Sequence, residues 1–420
     1  MRREKLASLL RRLLIAALLV SAVLLARETG YYRRAFDRVS GTAAQVESHE
    51  TPAALSATEL VRTVRPRAVL VRSPDGSSRA SAYAGEETEE AFRLFSAILG
   101  EVLGSAGEAE PISEELFRAG METECVFFDF FCELPLGALA QWLGSEMGMV
   151  ADAQAQCLYL SVSDVNVALS YRGADGGFYR CASAAVSETL RARMEGFAGC
   201  GAHLAYTDAL FPALAPYTVL LDALPEIIGV NGVSAFSGTD TAELLQTVGM
   251  NRFFASSYTE ADGTKVFIES EKTLRFSPDG ALSFRAGASD GERQAGEGVF
   301  AAVNYAYALA VRSIGRSAGE ADVLFSGVSE DAPDCYTVTF DYCLNCIPLR
   351  FPTGNAAKIV LRNGHLAELE LRLRSYAHTD TPETVLPMRQ AAAIANAARS
   401  TPALIYADSG SDVKCTWVKD

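Results

Sequence analysis

Fourteen residues without a charge, Leu13 to Ala26, lie between Arg12 and Arg27 near the start of the 420-residue chain. They divide the chain into a short head and a long body. As a helix they span about 21 Å, against a hydrocarbon layer of about 30 Å. Two readings share that length. Val20-Ser21-Ala22 has the small side chains of a signal-peptide cleavage site after Ala22. In the alternative the run is an uncleaved anchor: it continues past Ala22, and Arg12 and Arg27 lengthen the span by snorkelling. Tyr31 and Tyr32 then fall at the level of an interfacial aromatic belt. The anchor is the reading expected here. Arg2, Arg3, Lys5, Arg11 and Arg12 hold the N-terminus in the cytoplasm, which makes the chain a single-pass protein of the cell membrane with its body outside.

Charge follows the same division. Residues 1–38 hold nine Lys or Arg against three acids, residues 39–420 hold 28 against 49, and the whole chain carries −15. An acidic body argues against nucleic acid as a partner, because neutralising phosphates needs a basic face. All nine cysteines (125, 132, 157, 181, 200, 335, 343, 346, 415) lie in the body, where disulfides are permitted, and an odd count leaves at least one thiol unpaired within the chain.

The body has a mixed grammar of helices and hairpins. Residues 66–83 read as two strands around Pro74-Asp75-Gly76, and Glu86, Glu87, Glu89 and Glu90 precede apolar residues at helical spacing from Ala91 to Leu103. That acidic cluster suits the positive end of a helix and a solvated face, which outweighs a carboxylate pair for acid–base chemistry. Helical segments are expected at 112–119, 136–143 and 187–198, and strands at 123–131, 157–162, 165–171 and 178–183. Beyond Pro216, Asn231-Gly232 reads as a turn, 240–248 as a helix, and 258–286 as a meander cornered by Asp262-Gly263 and Pro278-Asp279-Gly280. Val299 to Ile314, apolar nearly all round, reads as a core helix lying across a sheet. Strands follow at 336–342, 347–351, 357–361 and, past Asn363-Gly364, 365–376. The repeated order of helix and Gly-turned meander suggests an internal duplication. The expected division is a cytoplasmic tail (1–12), an anchor (13–30), a linker (31–58) and three parts of the body (59–205, 206–296 and 297–420). The fold class is α+β: a single N-terminal transmembrane helix, then a three-part extracytoplasmic body of antiparallel sheets with packed helices.

Chemistry is sparse. His49, His203, His365 and His378 lie far apart and outside any zinc-binding frame, and no phosphate loop follows a strand, so no metal and no cofactor is expected. Gly287-Ala288-Ser289-Asp290-Gly291 matches a nucleophile elbow, with His365 or His378 in triad order. A polar segment, Glu292 to Gly298, separates it from the helix such an elbow must open, so a solvated interdomain linker is the expected reading. Cys343-Leu344-Asn345-Cys346 has redox spacing at a hairpin tip: either a strained disulfide or sensor pair, or two incidental turn cysteines.

That hairpin carries a resemblance. Phe340-Asp341-Tyr342-Cys343-Leu344-Asn345-Cys346-Ile347-Pro348 resembles the aromatic strand, Asn-Gly turn and Ile-Pro strand of YycH-like regulators of the YycG/YycF (WalK/WalR) two-component system of Gram-positive bacteria. Further similar stretches are Tyr258 to Gly263 with Val266 to Glu269, Ser277 to Gly280, Arg374-Ser375-Tyr376, Leu386-Pro387 with Gln390-Ala391, and Tyr406 leading to Trp417. The likeness covers residues 240–420 and the anchor, while the first part matches in layout. One departure is Cys346 in place of the turn glycine, which puts the turn type in doubt. The resemblance implies a non-enzymatic regulator that contacts a membrane sensor histidine kinase and a YycI-like sister protein, and so tunes cell-wall metabolism. Leu14, Ala17, Leu18, Ser21 and Leu25 form the helix face expected to meet the partners, with the small Ala17 and Ser21 permitting close approach. Two rivals remain in view: an exported or anchored module that binds lipid or a wall fragment, and a serine hydrolase using Ser289.

Overall fold

The computed structural model describes residues 63–235, 241–287 and 294–419. The apolar run Leu13–Ala26, with Leu14, Ala17, Leu18, Ser21 and Leu25, lies outside them, as do the linker to residue 58, His49 and Ser289. Among the described residues no helix is long and apolar enough to cross a membrane.

Turn chemistry sets the local architecture. At Asp75, Asp175, Asp262 and Asp279 the carboxylate accepts the backbone N–H two residues on, at 2.9–3.1 Å, and closes a hairpin. Hydrogen bonds from Ser77, Tyr179 and Thr264 hold the Asp75, Asp175 and Asp262 carboxyls below the ordinary carboxylate range.

The first sheet joins nine strands: β1 (Pro66–Arg72), β2 (Ser78–Ala82), β3 (Glu110–Ile112), β4 (Cys125–Pro135), β5 (Gln154–Val162), β6 (Asn166–Gly173), β7 (Phe178–Val186), β8 (Cys200–Leu204) and β9 (Val219–Leu221). Their order is β3-β7-β6-β5-β4-β1-β2-β8-β9. Helix α1 (Gly85–Ser105) packs on this sheet through Phe92, Phe95, Ile98, Leu99, Val102 and Leu103, the buried members of its periodic stripe. Three shorter helices, α2 (Glu114–Met121), α3 (Leu136–Trp142) and α4 (Ser187–Glu195), complete this half. Glu86 and Glu87 lie in the first turn of α1, as its dipole favours. Glu89 departs from the solvated reading. It is buried and pairs with Arg93 at 2.5 Å and with Arg65 at 3.9 Å.

Next come β10 (Ile228–Ser234), α5 (Thr241–Thr247), the meander β11 (Ser256–Thr259), β12 (Lys265–Glu269), β13 (Lys272–Phe276) and β14 (Ala281–Arg285), and helix α6 (Gly298–Ala310), which runs on as a π-turn through Gly315. Eight strands and one helix follow: β15 (Asp322–Ala332), β16 (Cys335–Leu344), β17 (Ile347–Arg350), β18 (Ala357–Arg362), β19 (His365–Arg372), β20 (Arg374–Pro382), α7 (Met388–Ala398), β21 (Pro402–Asp408) and β22 (Val413–Lys419). The second sheet runs β11-β12-β13-β14-β19-β18-β16-β17-β21-β22, with β15 on the other edge of β16. Both sheets are antiparallel apart from the parallel pair β17–β21. The chain is thus α+β, and α6 lies against β15, β16 and β18 as the core helix its composition implies.

Three local expectations are corrected. Asn231-Gly232 is strand, not turn: β10 pairs with β20, Gly232 opposite Tyr376. The glycine is there for room, since a Cβ would stand 2.8 Å from the Tyr376 ring and 2.9 Å from Val413. Gly232→Ala is therefore expected to destabilise the fold by about 1–3 kcal/mol, read from the urea midpoint. The run 365–376 is two strands, because the chain leaves β14 and β18 at Leu373 to pair with β10. Strand β15 was not expected at all. Bulges after Phe325 and Glu330 break its alternation, and its last residues are exposed.

Sequence-distant elements meet at a seam between the sheets. The Trp142 indole on α3 donates to Asn304 Oδ1 on α6 at 2.7 Å, and its ring meets Phe325 on β15 edge-on at 5.9 Å. Phe325 in turn meets Phe340 on β16 at 5.8 Å, and Arg65 donates to Asp322 at 2.9 Å.

Candidate functional site

The Cys343–Cys346 hairpin sits on this seam. Asn345 and Cys346 have φ of 53° and 56°, the two left-handed residues of a type I′ turn joining β16 to β17. The turn type expected with glycine is thus kept with cysteine, at the steric cost of a Cβ in a left-handed conformation. The tip docks on the start of α1. Gly85 N–H donates to the Asn345 carbonyl at 3.2 Å, the Cys346 thiol faces the Gly85 carbonyl at 3.5 Å, and a Cβ on Gly85 would lie 3.0 Å from Asn345 Oδ1.

On the open side, Asn345 Nδ2 donates to His378 Nε2 at 2.7 Å, so His378 donates from Nδ1 to Glu320, also at 2.7 Å. The backbone N–H of His378 donates to the same carboxylate, and these bonds hold Glu320 below the ordinary carboxylate range. On the buried side, Cys343 and Cys346 lie beside the Arg65 guanidinium. Burial pushes the Cys343 thiol up to about 12 and raises Cys346 as well, with Arg65 acting against it. Both are free thiols here, as are the other seven. Maleimide labelling of the native protein, located by mass spectrometry, is expected to modify exposed Cys200 first and to reach Cys343 and Cys346 only on unfolding. Failure of that pair to label in unfolded, unreduced protein would instead reveal a disulfide.

A buried polar cluster lies next to the hairpin. Arg374, which opens β20, donates from Nε and Nη2 to the two oxygens of Asp408 at 2.8 and 2.9 Å. The Tyr376 hydroxyl donates to Asp408 at 2.7 Å and Gly410 N–H donates to it at 2.7 Å. The Tyr342 ring meets Tyr376 edge-on at 5.1 Å, and its hydroxyl donates to the Arg372 carbonyl at 2.8 Å. Burial raises both phenols above their ordinary range, Asp408 adding to the effect at Tyr376. Nearby, Arg350 and Asn355 bond Asp341, whose carboxyl is nevertheless pushed up by burial.

The stretches carrying the resemblance therefore converge in space: Tyr342, Asn345, Arg374, Tyr376 and the Tyr406 strand tie β16, β20 and β21 together. The Tyr406 hydroxyl reaches the Ile228 carbonyl of β10 at 2.7 Å, and Trp417 donates to the Leu386 carbonyl at 2.8 Å. Their role is architectural. Asp408, Arg65 and Asp322 were missed from sequence. The signal for Asp408 was a lone acid two residues past Tyr406, on the same strand face.

The remaining singled-out residues stay apart. His365 sits opposite Arg362 beside the β18–β19 turn, and His203 lies 3.2 Å from Asp208 and 3.8 Å from Asp222. Gly287 N–H bonds Glu271, while residues 288–293 lie outside the described residues. Among the described residues no three His, Cys, Asp or Glu side chains are grouped to hold a metal ion.

No family model matches the chain, and no curated protein matches it in sequence. The crystal structure of YycH from Bacillus subtilis superposes with a TM-score of 0.59 at 9% identity, over 86% of this chain and 94% of that one. The chain has the YycH fold. At that identity the likeness lies in the architecture, and the YycH fold spans both sheets and the seam between them, well beyond the residues 240–420 that carried the sequence likeness.

Proposed function

We propose that this protein is a non-enzymatic, membrane-anchored extracytoplasmic regulator that modulates a two-component sensor histidine kinase in cell-wall homeostasis, in contact with a YycI-like sister protein. One observation carries the reading: the YycH fold over 86% of the chain and 94% of the matched one. The resemblance of the Phe340–Pro348 hairpin supports it, and so does the basic flank of Leu13–Ala26, which suits a cytoplasmic N-terminus. In this reading Leu14, Ala17, Leu18, Ser21 and Leu25 face the kinase helices, and a coupling of about 1–3 kcal/mol between kinase states suffices for regulation.

The test is crosslinking in intact membranes from a photoreactive residue at position 17 or 21, with capture of a sensor kinase as the expected result. Exchange of Leu13–Ala26 for an unrelated membrane helix is expected to abolish regulation while leaving the body folded and anchored. Regulation that survives the exchange makes the helix a tether only. Release of the protein by high salt, or a mature form beginning at Val23, overturns the anchored reading.

A further inference from the structure

A cleft of about 170 Å³ opens at the seam, between β1 and β4 of the first sheet and β17, β21 and β22 of the second. It is lined by two arginines, Arg67 and Arg350, and by apolar residues including Phe131, Pro348, Ile405 and Val418. No carboxylate is among the lining residues. The lining thus offers guanidinium donors and no acid, in a body where acids outnumber bases 49 to 28 over residues 39–420.

Backbone irregularity aims the cations. The β1–β4 register slips between Pro66 and Ala68, so Arg67 is the extra residue of a bulge, a device that redirects a side chain. The β4–β5 register also slips between Asp129 and Leu134, where Phe131 lies. Arg67 Nε and Nη2 donate to Asp129 Oδ2 at 3.0 and 2.7 Å. Arg350 Nη1 donates to Asp341 Oδ2 at 2.7 Å. Both carboxylates are buried behind the cleft wall, where they orient the guanidiniums without occupying the cleft. Arg350 is 39% exposed and has one N–H bonded to a carboxylate, so its remaining donors suit a planar anion. Pro348 and Arg350 share a face of β17, which sets the cationic group beside an apolar wall.

We propose that this cleft binds a small monocarboxylate with an apolar body, its carboxylate on Arg350 and its body against Phe131, Pro348, Ile405 and Val418. The volume is close to the roughly 150 Å³ that accommodates benzene in an apolar cavity, so the occupant is of benzoate size. Such a ligand touches both sheets and stabilises the seam. The inference does not rest on the kinase reading.

The test uses the full chain in detergent, with benzoate and the neutral benzyl alcohol as probes in calorimetric titration. Benzoate is expected to bind saturably and to raise the melting temperature, with benzyl alcohol roughly 10- to 100-fold weaker. Arg350→Gln is expected to lose benzoate affinity by a similar factor, Arg350→Lys to lose part of it, and the remote Arg362→Gln to bind as the parent does. Absence of saturable benzoate binding overturns the proposal, as does equal binding of acid and alcohol. Unchanged affinity in the folded Arg350→Gln or Arg350→Lys variant overturns it too.

Discussion

Asp408→Ala is expected to cost about 3–5 kcal/mol of stability, because it leaves the buried Arg374 guanidinium without its counter-charge. The Asp408 side chain has no exposure and that of Arg374 is 8% exposed, so water cannot replace the lost bonds. The substitution also strips the acceptor from Tyr376 and from Gly410 N–H. Arg374→Met should cost a similar amount by stranding the carboxylate. Combining Arg374→Met with Asp408→Leu should recover much of the loss, since no unpaired charge then remains. Urea midpoints of the single and double variants decide the matter, and a loss below about 1 kcal/mol in both singles would show that the pair does not hold β20 to β21.

Phe325→Ala is expected to lose about 3–5 kcal/mol, and to loosen the seam more than either sheet. Phe325 is 1% exposed and stands between Trp142 of the first half and Phe340 of the second. Phe325→Leu, which keeps most of the volume, should lose far less. The chain's two tryptophans make the coupling measurable, because Trp142 lies on α3 and Trp417 on β22. Single-tryptophan versions of the parent should unfold at the same urea concentration by either probe. In Phe325→Ala the Trp142 signal should change first. Coincident curves in that variant would place the coupling elsewhere, for instance where Phe211 and Leu214 pack on Met388 and Ala392 of α7.

The site was legible only in part, and the division has a physical cause. Helix α1 and the meander of β11 to β14 were readable because a 3.6-residue stripe and Asp-Gly corners are properties of a few adjacent residues. The hairpin at Asn345-Cys346 was readable for the same reason, and the cysteine changed its cost without changing its type. Asn231-Gly232 deceived because its glycine answers to the Tyr376 ring, far away in the chain. The run 365–376 hid its break because alternation continues across Leu373 while the pairing partner changes. Arg67 and Arg350, 283 positions apart, look like ordinary surface arginines until the seam is closed.

By itself the sequence determined the basic head, the acidic body, the α+β alternation and most strand and helix positions, because charge segregation, periodicity and turn geometry act over a dozen residues or fewer. Tertiary structure decided which strands share a sheet, where β10 and β20 leave it, the closure of Arg374 on Asp408, and the cleft at the seam. Those depend on contacts between residues tens to hundreds of positions apart, whose energy appears only once the chain has closed the intervening loops.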